Sequence, residues 1–251
     1  MSTLNLAGKR VLITGGGSGV GANMALAFAQ AGAEVIIAGR RLAALEQVAT
    51  QHRAIRGIAA DVTDEASVQI LFAQSGMVDI VIANAGAAES AAFTKTSLAT
   101  WQSMLAVNLT GVFLTLREGL KQMQARPWGR LIVVASTAGL KGYAYVAPYA
   151  AAKHGAIGLV RSLALEVATK NITVNALCPS FLDTEMTERS IENIMQKTGR
   201  SREQALAALV STNPQQRLIQ AAEVSNAALW LCSAGSEGIN GQALAIAGGE
   251  V

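Results

Sequence analysis

Residues 10–21 read Arg10-Val11-Leu12-Ile13-Thr14-Gly15-Gly16-Gly17-Ser18-Gly19-Val20-Gly21. A short β-branched run, a glycine-rich turn and then a helical pattern mark a strand–turn–helix unit. Glycines there let the backbone turn tightly and approach a pyrophosphate, whose charge the free N–H groups and dipole of a helix start favour. A glycine-rich strand-to-helix turn is also an ordinary connection. Its place in the first unit of an alternating chain gives the phosphate reading its weight.

That alternation runs to the end of the sequence. Strands are expected at Arg10–Thr14, Glu34–Ala38, Ile55–Ala60, Asp79–Ala83, Arg130–Ala135, Ile172–Leu177 and near Ala243–Ala247. Helices are expected over Gly19–Gln30, Leu42–Thr50, Glu65–Gln74 (with Asp64 as cap), Leu98–Gln124, Tyr149–Thr169 and Ala221–Cys232. Fully apolar runs such as Val35-Ile36-Ile37 and Leu131-Ile132-Val133-Val134 suit strands buried on both faces. The fold class is therefore α/β: one doubly wound, Rossmann-type domain over residues 1–251, its seven-stranded, mostly parallel sheet covered by helices on both faces. The exception to the rhythm is an insertion, Phe181–Gln216, with helical patterns near Met186–Gln196 and Arg202–Ser211. At the carboxyl end of a sheet such an insertion is expected to be a lid over the substrate.

Hydrophobic residues make up 51% of the chain and charged ones 15%, which excludes a disordered chain. The net charge is only +3 and no run of five like charges occurs, so a nucleic-acid partner is not expected. Cys178 and Cys232 match no zinc or redox spacing; no metal is expected, and a reducing, cytoplasmic location is. Met1–Arg10 contains no apolar run suited to a signal peptide, and no apolar stretch reaches the roughly 18 residues of a membrane span.

The spacing Thr-Gly-x-x-x-Gly-x-Gly at Thr14–Gly21 resembles the short-chain dehydrogenase/reductase family. Further resemblances follow in order. Asp61-Val62 is similar to the family's adenine-contacting pair. Asn84-Ala85-Gly86 is similar to its Asn-Asn-Ala-Gly turn, with Ala83 in place of the first Asn. Thr184 matches a residue that helps hold the nicotinamide end. The resemblance implies cofactor contacts from Gly15, Ser18, Gly19, Val20, Gly21, Asp61, Val62, Asn84, Ala85, Gly86, Tyr149, Lys153, Pro179, Leu182 and Thr184. The second strand ends in Ala38-Gly39-Arg40-Arg41. An acidic residue at that end would chelate the ribose hydroxyls of NAD and repel a 2′-phosphate. Gly39 stands there instead, followed by two arginines whose planar donor forks suit phosphate. NADP(H) is the expected cofactor rather than NAD(H), although Arg40 and Arg41 could also simply open a solvated helix.

Tyr149 and Lys153 lie four residues apart at a helix start, so they share one face. Such a pair alone is common on surface helices. A free tyrosine has a pKa of about 10, which a neighbouring ammonium would lower, letting the phenol act as general acid or base. Ser136 follows the fifth strand, thirteen residues before Tyr149, at the sheet end where ligands bind in such folds. In the family this serine donates to the substrate oxygen, and Asn108 matches the asparagine that holds a water connecting the lysine to solvent. The expected catalytic set is Asn108, Ser136, Tyr149 and Lys153. Two departures from the family stand out: Cys178-Pro179-Ser180 replaces the usual Pro-Gly, and Ala247 stands where Asp commonly precedes Gly-Gly. His52 and His154 are given no role.

Within the family, Ser136–Gly139 and Ala147–Gly155 are most similar to β-ketoacyl reductases and aromatic-polyketide ketoreductases. Ser136, Tyr143, Tyr145, Tyr149, Phe181 and Met186 are expected to border the substrate, a small apolar or aromatic carbonyl or alcohol; the four flanking Tyr149 and Ser136 could equally be core or subunit contacts. The alternatives are an NAD-dependent dehydrogenase of a secondary alcohol or hydroxyacyl thioester, and a non-catalytic cofactor sensor. A sensor would be expected to lose the tyrosine or the lysine. The resemblance also implies a homo-oligomer, tetramer or dimer.

Overall fold

The computed structural model describes residues 4–124 and 127–251; Met1–Thr3, part of the stretch read as unsuited to a leader, lie outside it. Arg10–Thr14 forms β1, and the chain turns through the glycines into α1 (Gly19–Gln30). Next come β2 (Glu34–Gly39), α2 (Leu42–Ala49), β3 (Ile55–Ala59), α3 (Glu65–Ser75) and β4 (Ile80–Ala83). Asp64 caps α3 as expected, its carboxylate accepting from the Ala66 amide at 3.1 Å. Helices α4 (Leu98–Leu105) and α5 (Gly111–Met123) lead to β5 (Gly129–Val134), α6 (Ala147–Val167) and β6 (Ile172–Pro179). The chain ends with α7 (Glu185–Thr198), α8 (Arg202–Val210), α9 (Ala221–Trp230) and β7 (Ala243–Ile246).

All strand pairs are parallel, in the order β3-β2-β1-β4-β5-β6-β7. The order reverses between β1 and β4, which opens a crevice above their carboxyl ends, the usual ligand site of such sheets. Alternate strand residues enter opposite layers, as the two-residue strand period requires. Leu12, Ile36, Val81 and Leu131 pack on one face with Phe72, Leu116 and Val160; Val11, Ile13, Ile37 and Ile82 pack on the other with Met24, Phe28 and Val224. The α/β expectation holds, and among the described residues no helix is long and apolar enough to cross a membrane.

One expected helix is not continuous. The Leu98–Gln124 pattern is interrupted by a π-helical turn over Ala106–Thr110. The physical reason is Asn108: its Nδ2 donates to the Met104 carbonyl at 3.1 Å, inserting a side chain into the backbone ladder. The α6 start also moves, to Ala147, because Pro148 fits the first turn where its missing N–H costs nothing.

Candidate active site

The crevice is held open by side chains that tie the loops to one another. Thr14, at the end of β1, accepts on its hydroxyl from the Asn84 and Ala85 amides, each at 3.1 Å. Asn84 returns the bond, its Nδ2 donating to the Thr14 carbonyl at 2.9 Å and the Gly15 carbonyl at 3.2 Å. Asn84 thus braces the glycine loop. A Cβ on Gly21 would sit 2.3 Å from the Gly15 carbonyl oxygen, so only glycine allows α1 to start this close to the turn. Ser18 is the α1 N-cap but makes no capping bond, and no acidic residue occupies the first turn. The amides of Gly19, Val20 and Gly21 therefore form an anion-favouring helix start with no competing carboxylate. Thr184, at the start of α7, closes the other side: its methyl would lie 3.5 Å from a Cβ on Gly19. Leu182 bridges to Ile219 just before it, and Pro179 is buried at the end of β6.

Past the end of β3, Asp61 Oδ1 accepts from the Thr63 amide at 2.9 Å and its hydroxyl at 2.8 Å. The backbone bond from Thr63 outweighs burial and, with its hydroxyl and the nearby Arg40, holds the Asp61 carboxyl below its ordinary value. Val62 packs against Gly111, where a Cβ would come within 2.8 Å. Arg40 and Arg41 are exposed beyond Gly39, Arg41 at the N-cap of α2. Exposed guanidiniums just past the end of β2 could hold a phosphate.

Asn108, Ser136, Tyr149 and Lys153 converge at the carboxyl ends of β4 and β5. Asn108 is fully buried; it donates to the Ala87 carbonyl at 2.8 Å and accepts from the Ala87 amide at 3.3 Å. A Cβ on Gly86 would be 2.9 Å from Asn108 Oδ1 and 3.7 Å from Lys153 Nζ. Lys153 is 3% exposed, donates to the Val134 carbonyl at 2.9 Å, and lies 5.5 Å from the Tyr149 ring centroid. Burial lowers its pKa to about 8. Ser136 accepts from the Ala138 amide at 3.1 Å as cap of a short 3-10 turn, and its hydroxyl lies beside the Tyr149 phenol. The expectation that Lys153 draws the Tyr149 phenol below 10 is not met. Desolvation raises it, and the Ser136 hydroxyl offsets only part of that. Cys178 lies in the same wall, its thiol pushed up to about 11 by burial, which keeps it an inert packing group.

The aromatic border is uneven. Tyr143 and Phe181 meet edge to face, centroids 6.4 Å apart. Met186 is 38% exposed on α7, while Tyr145 is 68% exposed with a left-handed backbone, φ 68°. Tyr145 contributes its carbonyl, which accepts from the Ala91 amide at 2.9 Å, more than its ring. His154 Nδ1 lies 2.9 Å from the Ala150 carbonyl and is exposed, and His52 Nδ1 accepts from the Ala54 amide at 3.2 Å; neither faces the crevice. Sequence reasoning passed over two residues: Thr14, visible as the first letter of the glycine motif, and Glu250, which carries no local signal.

Comparison with known proteins agrees with this geometry. The model of the short chain dehydrogenase family matches residues 9–195. The 3-oxoacyl-[acyl-carrier-protein] reductase FabG of Aquifex aeolicus is 34% identical over 255 aligned residues, spanning 98% of each chain. A D-beta-hydroxybutyrate dehydrogenase of Cupriavidus necator is 36% identical over 98% of this chain and 99% of its own. A crystal structure of an actinorhodin polyketide ketoreductase variant with NADPH superposes with a TM-score of 0.91 at 32% identity, covering 96% of this chain and 97% of the other. The chain belongs to the short-chain dehydrogenase family.

Proposed function

We propose that this protein is an NADP(H)-dependent oxidoreductase interconverting a ketone and a secondary alcohol, with Asn108, Ser136, Tyr149 and Lys153 as its reacting group. The observation that carries the reading is the Ser136–Tyr149–Lys153 cluster at the carboxyl end of β5, beside the crevice between β1 and β4. NADP(H), when bound, supplies or accepts the hydride. The uncapped start of α1 would take the pyrophosphate, Arg40 with Arg41 the 2′-phosphate, and Asp61-Val62 the adenine. In reduction, Tyr149 Oη gives its proton to the carbonyl oxygen as charge develops there. Its raised pKa keeps it protonated at neutral pH, which suits an acid. Ser136 already accepts from Ala138, leaving its own proton to donate to the same oxygen. Lys153 places a cation near the phenol, and Asn108 positions the loop through Gly86 and Ala87 against it.

The relatives named as a 3-oxoacyl reductase and a polyketide ketoreductase support a 3-oxoacyl or other apolar carbonyl as substrate, and the Tyr143–Phe181 edge agrees. The relative named as a hydroxybutyrate dehydrogenase is the reason to keep an NAD-dependent oxidation as the second reading. Leu98, Phe113 and Leu165, exposed on α4, α5 and α6, support a homo-oligomer, dimer or tetramer, and the cysteine usage a cytoplasmic one. The decisive variant is Tyr149→Phe, which keeps the ring and removes the acid. Turnover with NADPH and a ketone falls by about 10²–10⁴, while NADPH titration still saturates. A folded, cofactor-binding variant with wild-type turnover would mean another residue carries the proton.

The chain is read as one domain, with residues 181–216 as its lid. In support, α7 reaches across the crevice: Asn193 Nδ2 donates to Ser90 Oγ at 2.8 Å and Lys197 Nζ to the Ser90 carbonyl at 3.2 Å. Hydrogen exchange of α7 and α8 is expected to slow when NADP(H) and a competent ketone are added together. Equal protection with and without them would break the lid reading.

A further inference from the structure

The chain past β7 turns inward rather than out to solvent. Gly248 and Gly249 take left-handed backbones, φ 60° and 96°. A Cβ on Gly248 would lie 2.1 Å from Asn213 Oδ1, so no side chain fits there. The reversal delivers Glu250 beneath the substrate side of the site, where its carboxylate is wholly out of solvent.

That carboxylate meets side chains from three separate segments and takes donors from two of them. From the stretch after β5, the Tyr143 hydroxyl donates to Oε1 at 2.5 Å, and Lys141 Nζ lies 3.1 Å from the same oxygen. From the end of β6, the Ser180 hydroxyl donates to Oε2. The Thr212 side chain lies nearby at the end of the insertion, its hydroxyl donating to the Leu209 carbonyl at 3.1 Å. Burial alone would push the carboxyl up, yet the bonds from Ser180, Tyr143 and Lys141 outweigh it and hold it below its ordinary value, so it is ionised. Tyr143 is then fully committed. Its proton goes to Glu250, and its oxygen accepts from the Thr137 hydroxyl at 2.7 Å. It has no proton left for a substrate and offers only its ring, fixed edge to face against Phe181. Thr137 and Ser180 immediately follow Ser136 and Pro179, so the network reaches both the catalytic and the cofactor wall in one step.

We propose that Glu250 is a positioning residue for substrate: it locks the Tyr143 ring and couples the end of the 181–216 insertion to the pocket. Among the described residues its carboxylate bonds to Tyr143, Lys141 and Ser180, so it acts through Tyr143 and Ser180 and takes no part in hydride or proton transfer. The proposal deepens the ketone/alcohol reading above and rests on it for its kinetic test.

The test compares Glu250→Gln, Tyr143→Phe, Ser180→Ala and the double variant Glu250→Gln/Tyr143→Phe. Each is assayed for NADPH-dependent reduction of a graded series of apolar ketones and, separately, for NADPH affinity. Glu250→Gln keeps the shape and removes the charge; KM for the larger ketones rises about tenfold or more, as losing a charge-assisted bond implies. Turnover number and NADPH affinity stay within about twofold to threefold. Because the effect runs through Tyr143, the double variant is no worse than Glu250→Gln. Unchanged KM, loss of NADPH affinity in step with KM, or full additivity would overturn the proposal. Should Glu250→Gln fail to fold, Tyr143→Phe and Ser180→Ala carry the same expectation, and unchanged KM in both overturns it. A wild type that reduces no ketone defeats the functional reading but not this one. With three tyrosines in the chain, phenolate absorbance then decides: one tyrosine ionises at lower pH in Glu250→Gln than in wild type, and an unaltered titration overturns the role of Glu250.

Discussion

A buried cation sits at each end of strand β5, Arg130 from the strand itself and Lys153 from α6, and the two behave differently. At its amino end Arg130 is 1% exposed. Its Nε donates to the Leu231 carbonyl at 3.2 Å, its Nη1 to the Gly129 carbonyl at 2.9 Å, and its guanidinium stacks on Trp128 at 4.3 Å. Only Nη2 has no partner. Burial lowers its pKa, but a guanidinium does not give up its proton in a protein. At the carboxyl end Lys153 is as deeply buried but has one hydrogen bond, to Val134, and its pKa falls to about 8. The arginine is a permanent charge serving as a strut. The lysine is held where its charge can change, beside a phenol that transfers protons. Equal burial thus has opposite consequences, decided by how many acceptors surround the cation and how easily it deprotonates.

The comparison breaks most readily at the strut. Arg130→Ala removes one of the two donors to the Leu231 carbonyl (the Ser236 hydroxyl, at 2.9 Å, is the other), opens a cavity beside Trp128 and strips the stack. Unfolding by denaturant is expected to show a loss of about 3–5 kcal/mol. Activity per folded molecule should hold, because the crevice is at the other end of the strand. A comparable fall in turnover would mean the two ends are not separable. Arg40 extends the series to a cation left in water, where it does little for the fold. Arg40→Ala should change stability by less than about 0.5 kcal/mol yet weaken NADP(H) binding by about 1.5–3 kcal/mol, sparing NAD(H). Parallel loss of both cofactors would remove Arg40 from the 2′-phosphate site.

Much of this was legible in the residues, and the failures have a common cause. The apolar runs at Val11-Leu12-Ile13 and the glycines at the first turn are local patterns, so a doubly wound parallel sheet could be read from them, while the order of its strands, set by distant pairings, could not. Asp64 as a cap is equally local. The π turn at Asn108 was not legible, because the apolar period of 98–124 runs through it unbroken and only the side-chain bond to Met104 reveals it. Arg130 read as one more strand residue, since its stack and carbonyl acceptors come from Trp128 and the distant Leu231. Tyr143 was expected to border the substrate, but nothing local shows that its hydroxyl is held by Glu250, 107 positions away. The raised Tyr149 pKa likewise reflects burial, which spacing to Lys153 cannot express.

The sharpest use of the comparison is Lys153→Met, which should stabilise the fold while damaging the chemistry. In the unfolded chain the lysine holds its proton up to 10.5; in the folded protein only to about 8. Folding therefore opposes protonation, and stability is lost as pH falls from 10.5 through 8. Below that the cost is constant, on the order of 3 kcal/mol for a shift of this size. Methionine fills the same volume without charge, so it removes this cost but forfeits the bond to the Val134 carbonyl, about 1–2 kcal/mol. The net expectation at pH 7 is a gain of about 1–2 kcal/mol, read from denaturant midpoints. Because the wild-type cost vanishes at high pH, the gain must shrink as pH rises from 8 to 10.5 and reverse where only the lost hydrogen bond remains. Alcohol oxidation should change in the other sense: without a neighbouring cation the phenolate is harder to form, and the alkaline limb of the rate profile moves upward. A variant less stable than wild type at neutral pH would mean Lys153 is a strut like Arg130, and the contrast between the ends of β5 would be gone.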